Sequence, residues 1–261
     1  ALRDVVQNHM MELLALVALE PPSSFEADSV RREKLKVWRA IPPVPILNTI
    51  RGQYGPGLVN GQRVIGYRDE ERVDPESGTE TYAALRLEIE NWRWAGVPFY
   101  LRAGKRLKKR ATEISIQFKQ PPLLIFNRMT SGSGPCNEIL PNLLTIRIQP
   151  DEGIALRFGA KVPTTPDMNV CPVYMDFDYE TAFGKSSANG YERLLLDAML
   201  GDATLFSHRD GVEATWALMT PILEEWAANP PTDFPNYAAG SWGPAAAGAL
   251  LARDGRHWRH Q

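Results

Sequence analysis

Apolar residues recur at helical spacing in the first part of the chain. The stripe that runs from residue 5 to residue 19 predicts a mostly buried helix, and its members include Val5, Val6, Met10, Leu13, Leu14 and Val17. Pro21 and Pro22 would end this helix, because proline lacks the N–H that a continuing helix needs. A second, amphipathic helix is predicted over about residues 25 to 38, before an extended proline-rich connection.

Apolar and polar residues alternate through the middle of the chain. Alternation of this kind is typical of half-buried antiparallel strands. The apolar members of these segments are Leu85, Leu87 and Ile89; Ile114, Ile116 and Phe118; Leu144, Ile146 and Ile148; Ile154, Leu156 and Phe158; and a further run lies between 173 and 179. The Pro-Asp-Glu-Gly segment at 150 to 153 predicts a hairpin between two of them.

Helical spacing returns between residues 191 and 200, and again after Asp210, which stands three residues before Glu213 as in a capping box. Helices, then strands, then helices is the α+β order, so we predict a large, mostly antiparallel sheet flanked by helices. The glycines at 52, 55 and 57 do not form the Gly-x-Gly-x-x-Gly turn, and Pro56 would remove an amide that faces phosphate. No Rossmann domain is therefore expected in this chain.

The composition is that of a globular protein, with 261 residues of which 44% are hydrophobic and 23% charged. The 29 Lys and Arg against 31 Asp and Glu give a net charge of −2. This balance excludes a surface that holds nucleic acid or anionic lipid through its overall field. The longest apolar run, Leu13 to Leu19, is shorter than the roughly 20 residues that span a bilayer. We expect neither a nucleic-acid partner nor a membrane-spanning segment.

The cysteines and the remaining histidines point away from a metal site. Cys136 and Cys171 have no Cys-x-x-Cys partner, which suits a reducing compartment and argues against structural zinc. His208, His257 and His260 lack the spacing of metal ligands. The sequence therefore predicts a cytoplasmic protein without a bound metal.

Asp4 and His9 form the first candidate site, at the start of the first predicted helix. Histidine is a common general base because its ordinary pKa lies near neutral pH. Residues five apart are about 140° apart around an ideal α-helix, so the two side chains converge only if Asp4 lies at or before the helix start. The structural alternative is that Asp4 caps the helix and that His9 is packed and paired with Glu12.

A run of basic residues from 102 to 110 forms the second candidate site. Six cations fall within these nine residues, directly after a strand-like segment. Gly104 would let the backbone approach a ligand, and Lys and Arg can donate hydrogen bonds to phosphate or sugar oxygens. The alternative is a solvated basic loop.

Several segments, taken in order, resemble the C-terminal domain of the glucose-6-phosphate dehydrogenase family. They are Arg-Asp-Val-Val-Gln-Asn-His at 3 to 9, Val-Ala-Leu-Glu-Pro-Pro at 17 to 22, Arg-Gly-Gln-Tyr at 51 to 54, Thr-Glu-Thr at 79 to 81, Asn-Trp-Arg-Trp-Ala-Gly-Val-Pro-Phe-Tyr-Leu-Arg-Ala-Gly-Lys at 91 to 105, and the stretches 142 to 150 and 191 to 221. The resemblance covers essentially the whole chain. It implies a C-terminal domain, over residues 1 to 261, that binds substrate and dimerises.

The resemblance also implies residue roles. In this family the histidine of Gln-Asn-His is the general base for oxidation of glucose 6-phosphate with NADP, which points to His9. It further implies substrate contacts by Asp4, Lys105, Arg110 and Gln149. A homodimer or a dimer of dimers is the assembly it implies.

The resemblance places the coenzyme-binding domain, with its glycine-rich turn and Asp-His-Tyr-Leu-Gly-Lys segment, upstream of Ala1. The isolated chain is therefore expected to be inactive, and its residues do not decide between NADP and NAD. Some family members hold a second, structural NADP; Arg102 and Arg147 match basic positions of that site, whereas Ala111 stands where a lysine is expected.

Two hypotheses follow from these observations. The first is a catalytic fragment of an NADP-dependent glucose-6-phosphate dehydrogenase. The second is a non-catalytic module that binds a sugar phosphate, or serves assembly, on the same scaffold.

Overall fold

The computed structural model describes residues 1–123, 140–163, 170–184 and 190–259. The chain divides into two compact units, which are described separately. The first unit comprises residues 1–109 and 194–261, and the second comprises residues 110–193.

The first unit begins with a π-helix over Leu2–Met10, which continues into α1 (Met11–Ala18); α2 spans Ala27–Arg39. In a π-helix each N–H donates to the carbonyl five residues back. The Val6 N–H reaches the Ala1 carbonyl oxygen at 3.2 Å in this way, and the Met11 N–H donates to Val6. The prediction of one uniform α-helix is therefore wrong over its first half. The buried positions also differ from the expected stripe: they are Leu2, Val6, Gln7, Met11, Leu14, Ala15 and Ala18.

The strands of the first unit begin with β1 (Thr49–Gly52), β2 (Tyr54–Gly55), β3 (Gly57–Val59) and β4 (Gln62–Val64) and continue with β5 (Tyr82–Leu87) and β6 (Phe99–Gly104). Two short 3₁₀ turns cover Ile46–Asn48 and Tyr67–Asp69. An antiparallel sheet has the order β1-β5-β6, and β3 pairs with β4 as a separate hairpin.

The central strand β5 is buried on both faces. Its residues alternate between two hydrophobic cores, because successive side chains of a strand point to opposite faces. Ala83, Leu85 and Leu87 pack in the core that contains the π-helix, α1, α2 and part of the last long helix. Tyr82 and Ala84 pack in a second core with residues near the C-terminus. The predicted alternation is confirmed from Leu85 onward, because Leu87 and Ile89 are buried while Glu88 and Glu90 are exposed; the strand also extends back to Tyr82, where both faces are buried.

The second unit contains β7 (Thr112–Gln117), β8 (Leu143–Gln149), β9 (Gly153–Lys161), β10 (Val170–Asp178) and the short helix α3 (Tyr179–Phe183). The four strands form an antiparallel sheet in the order β10-β9-β8-β7. The alternating segments and the hairpin at 150 to 153 are confirmed.

An ion pair crosses this second sheet. Arg147 on β8 lies opposite Gly153 on β9, and its guanidinium passes over that glycine to Asp176 on β10. Both nitrogen to carboxylate distances are short, at 2.7 and 3.0 Å. Hydrogen bonding to Asp176 raises the pKa of Arg147, and the same contact lowers the pKa of Asp176.

The remaining elements are α4 (Gly190–Leu200), α5 (Arg209–Ala228), β11 (Tyr237–Ala238) and α6 (Ala245–Ala252). β11 pairs in parallel with β2. The capping box expected at Asp210 is wrong: His208 is the N-cap of α5, and its Nδ1 accepts the Asp210 N–H at 3.4 Å. The helix continues through Pro221.

The α+β class is confirmed, with the strands of the described ranges distributed over separate sheets. Cys171 on β10 is disulfide-bonded, which corrects the expectation of isolated cysteines; Cys136 lies outside the described residues. No helix among the described residues is long and apolar enough to cross a membrane. The same residues contain no group of three or more potential metal ligands.

Replacement of Gly153 by alanine tests the ion pair that crosses β9. The added methyl carbon would lie 2.4 Å from the Phe177 carbonyl oxygen and 2.2 Å from an Arg147 nitrogen. We expect Gly153→Ala to lower the free energy of unfolding by about 1 to 3 kcal/mol, measured by urea denaturation. The matched control is Gly190→Ala, where a methyl group meets open space and a change below about 0.5 kcal/mol is expected. Equal stability of the two variants would contradict the proposed crossing.

Candidate active site

The π-helix places Asp4 and His9 on one exposed face. Arg3 and Asp4 are exposed, as are Asn8 and His9 five residues later, whereas Val6 between them is buried. This five-residue repeat matches the five-residue hydrogen-bond spacing of a π-helix. Asp4 and His9 therefore share a face although Asp4 lies inside the helix. The α-helical geometry that would have separated them does not apply here.

The opposite face of the π-helix is fixed by polar and apolar contacts. Gln7 is buried, and its side-chain nitrogen donates to Thr215 Oγ1 on α5 at 3.0 Å. Leu2 and Val6 are fully buried in the core that contains β5. Because the inward side is held at these points, the helix cannot rotate to turn Asp4 or His9 away from solvent.

The structural alternatives for these two residues are wrong. Ala1, and not Asp4, occupies the N-cap position. Glu12 forms an ion pair with Lys34, with a Glu12 Oε2 to Lys34 Nζ distance of 2.7 Å, rather than pairing with His9. An exposed imidazole on the same helix face as an exposed carboxylate can accept a proton from a hydroxyl group while the carboxylate accepts a second hydrogen bond.

Lys105 lies directly after β6, and its backbone is held on both sides. Its N–H donates to the Thr81 carbonyl oxygen at 2.9 Å, and its carbonyl oxygen accepts from the Tyr237 hydroxyl at 2.9 Å. Burial raises the pKa of Tyr237, so this hydroxyl stays protonated and available as a donor. The Lys105 side chain is exposed and can present its ammonium group to an anion.

The turn that follows Lys105 is also anchored. The Arg106 carbonyl oxygen accepts from Gly240 N–H at 2.7 Å, and an Arg106 guanidinium nitrogen lies 3.3 Å from Glu70. The Lys108 N–H donates to the Ser241 carbonyl oxygen at 2.9 Å. These bonds anchor the backbone of the segment, while its cations at 105, 106 and 108 to 110 are exposed, so the alternative of a solvated basic loop stays open.

Gly104 has a packing role in this turn. A Cβ at this position would lie 2.6 Å from Cδ2 of Tyr82, its partner residue across the sheet. The glycine makes room for an aromatic ring, and not for a ligand as its position in the basic run predicts.

The two arginines that the resemblance matches to a second NADP site contact other groups of the protein. The Arg102 guanidinium lies between two indoles, 5.3 Å from the Trp242 ring centre and 4.6 Å from that of Trp258. It also donates to the Arg259 carbonyl oxygen at 3.0 Å. Arg147 forms the ion pair with Asp176 described above. Their assignment to a second NADP stays a prediction.

Arg110 and Gln149 belong to the second unit. Both are exposed; Arg110 precedes β7, and Gln149 is the last residue of β8, where it pairs with Thr112. Their roles as substrate contacts also stay predictions, while Asp4, His9 and Lys105 all lie in the first unit.

Sequence reasoning missed the residues that link the π-helix to the Lys105 turn. Glu80 accepts the Leu2 N–H, and Thr81 accepts the Lys105 N–H. The Thr81 hydroxyl also lies 2.9 Å from the Tyr237 hydroxyl. Thr-Glu-Thr at 79 to 81 was part of the family resemblance, but nothing in its spacing indicates contacts with residues about 80 positions earlier or 156 positions later.

The fold and site define an α+β domain that presents a histidine, a carboxylate and an anchored lysine on one unit. Residues 1–259 match the family model for the glucose-6-phosphate dehydrogenase C-terminal domain. The chain therefore belongs to this family.

Individual relatives agree with the family match. The glucose-6-phosphate 1-dehydrogenase of Chlamydia pneumoniae is 54% identical over 259 residues, which cover 99% of this chain and 50% of that protein. Glucose-6-phosphate 1-dehydrogenase 2 of Mycobacterium tuberculosis H37Rv is 48% identical over 261 residues, 99% of this chain and 49% of that protein. The chain spans about half the length of the curated relatives it matches.

Two solved structures have the same fold. The glucose-6-phosphate 1-dehydrogenase of Mycobacterium avium superposes with a TM-score of 0.81 at 38% identity, covering 100% of this chain and 51% of that chain. A glucose-6-phosphate dehydrogenase in complex with its substrate glucose 6-phosphate gives a TM-score of 0.84 at 35% identity. The match covers 99% of this chain and 51% of that chain.

Proposed function

We propose that this chain is the C-terminal, substrate-binding and dimerisation domain of a glucose-6-phosphate dehydrogenase. The complete protein would oxidise glucose 6-phosphate to 6-phosphoglucono-1,5-lactone with NADP, the first step of the pentose phosphate pathway. The observation that carries this proposal is the shared exposed face of Asp4 and His9 on a helix fixed from its inward side. The related structure with bound glucose 6-phosphate supports the choice of substrate.

In this proposal His9 removes the proton of the sugar C1 hydroxyl while hydride leaves C1. Asp4 accepts a hydrogen bond from a sugar hydroxyl on the same side of the helix. Lys105 donates to substrate oxygens from its anchored turn, with Arg110 and Gln149 as further substrate contacts. Two electrons leave C1 with the hydride and one proton goes to the imidazole, so the step is balanced.

NADP, when bound, would supply the nicotinamide ring that accepts the hydride. We assign its binding to a coenzyme domain that is not part of this chain, in accord with the half-length match to the relatives. A cytoplasmic location and a homodimer or dimer of dimers complete the proposal. Exposed apolar side chains on one face of β10, Met175 and Phe177, support an interface through the second unit.

The test of the catalytic proposal is His9→Asn in the full-length protein that contains this chain. Asparagine keeps polar contacts but cannot accept a proton, so we expect kcat to fall by about 10² to 10⁴-fold. The KM for glucose 6-phosphate should change little, measured by NADPH formation at saturating NADP. His208→Asn is the matched control, because asparagine is also a good N-cap for α5. Near-normal turnover of His9→Asn would remove the base from this proposal.

A second test separates Lys105 from its basic neighbours. Lys105→Ala should raise the KM for glucose 6-phosphate by about ten- to a hundredfold, because a charge-assisted hydrogen bond is lost. Lys108→Ala also removes an exposed charge, and it should raise the KM for glucose 6-phosphate by less than about fivefold. Steady-state kinetics at two salt concentrations measures both. Equal, salt-sensitive losses would show a general field effect instead of a specific contact.

The isolated chain of residues 1–261 should form no NADPH from glucose 6-phosphate, because hydride transfer needs a held nicotinamide. The assay uses purified chain with the full-length protein as positive control. Turnover by the chain alone would overturn the proposal that a separate coenzyme domain binds NADP. Absence of activity from the full-length protein as well would favour the alternative, a non-catalytic module that binds a sugar phosphate or serves assembly.

A further inference from the structure

Glu80 holds the start of the π-helix that carries Asp4 and His9. Its Oε1 accepts the Leu2 N–H at 3.0 Å, and its side chain is only 15% exposed. N–H groups in the first turn of a helix lack partners within the helix, and a carboxylate there also interacts favourably with the helix dipole. The contact therefore fixes the end of the helix nearest Asp4.

Thr81, the residue after Glu80, binds the turn that carries Lys105. The Thr81 carbonyl oxygen accepts the Lys105 N–H at 2.9 Å. A single peptide unit thus separates the anchor of the π-helix from the anchor of the lysine turn. The Leu2 N–H and the Lys105 N–H are therefore bonded to two consecutive residues of one short segment.

The segment around Glu80 is fixed to the rest of the unit. The fully buried Gln53 side chain donates to the Ser77 and Thr79 carbonyl oxygens at 2.9 and 3.0 Å. The Tyr54 N–H donates to Thr81 Oγ1 at 3.0 Å. These hydrogen bonds fix residues 77 to 81 in place, and with them the backbone that carries the Glu80 side chain.

We propose that Glu80 is a positioning residue that sets the placement of the Asp4 and His9 helix relative to Lys105. This inference rests on the proposed function, because it concerns the substrate site assigned there. Glu80 itself does not touch the substrate. It acts through the Leu2 N–H, while the carbonyl oxygen of the neighbouring Thr81 holds the Lys105 turn.

The experiment compares Glu80→Ala, Glu80→Gln and Glu76→Ala in the full-length protein. Glu76 lies in the same connecting segment with an exposed side chain, so its variant is the matched control. Glu80→Ala should raise the KM for glucose 6-phosphate by about tenfold and lower kcat, while the KM for NADP stays within about twofold. Glu80→Gln keeps an oxygen that accepts the Leu2 N–H and should restore activity to within about threefold of wild type.

A double-mutant cycle with Lys105→Ala separates positioning from loss of stability. If Glu80 matters because it places the helix relative to Lys105, Glu80→Ala should raise the KM by less than about twofold in the Lys105→Ala background. Additive effects in this cycle would overturn the proposal, as would a glutamine variant as damaged as the alanine variant. If Glu80→Ala does not fold, Glu80→Met, which fills the space without an oxygen acceptor, takes its place: a tenfold rise in KM beside a near-normal Glu80→Gln supports the proposal, and wild-type kinetics of Glu80→Met overturn it. An inactive wild-type protein would refute the proposed function, whereas an active wild type with unaffected Glu80 variants refutes only this inference.

Discussion

Burial of β5 on both faces is the constraint on which the first unit depends. A strand buried on both faces needs hydrogen-bonded neighbours on each edge and packed layers above and below. β1 and β6 supply the edges. The π-helix packs on one face, and residues near the C-terminus cover the other. The packing around Tyr82 is tight. Its ring occupies the space that a Cβ on Gly104 or Gly243 would need.

This central strand also explains why the candidate site is rigid. The segment before β5 carries Glu80 and Thr81, whose oxygens accept N–H groups from the π-helix and from the Lys105 turn. The Tyr237 hydroxyl reaches the same turn from the layer on the other face. The site residues are exposed, but the backbone beneath them is bonded on several sides. Rigid support of this kind lowers the cost of holding a substrate in one orientation.

The sequence predicted the positions of helices and strands better than it predicted which of their faces are buried. The strands of the second unit follow the alternation of apolar residues, because one face of that sheet is more exposed than the other, as in β7. The same rule holds for Leu85 to Glu90 but does not find the start of β5, because Tyr82, Ala83 and Ala84 are all buried and no polar residues alternate with them. The π-helix was missed because apolar residues fit α-helical spacing almost as well. The burial of Gln7, a polar residue, depends on Thr215 on a distant helix.

The sequence by itself determined the α+β class, most strand positions and the family, because hydrophobic periodicity and ordered motifs are local properties of the chain. It also pointed to Asp4, His9 and Lys105 through those motifs. Only the tertiary structure decided that Asp4 and His9 share a face, that Lys105 lies on an anchored turn, and that the adjacent residues Glu80 and Thr81 bind the helix and the turn. The anchored turn and the Glu80 contact depend on hydrogen bonds between residues far apart in the chain, and local patterns do not encode such pairings.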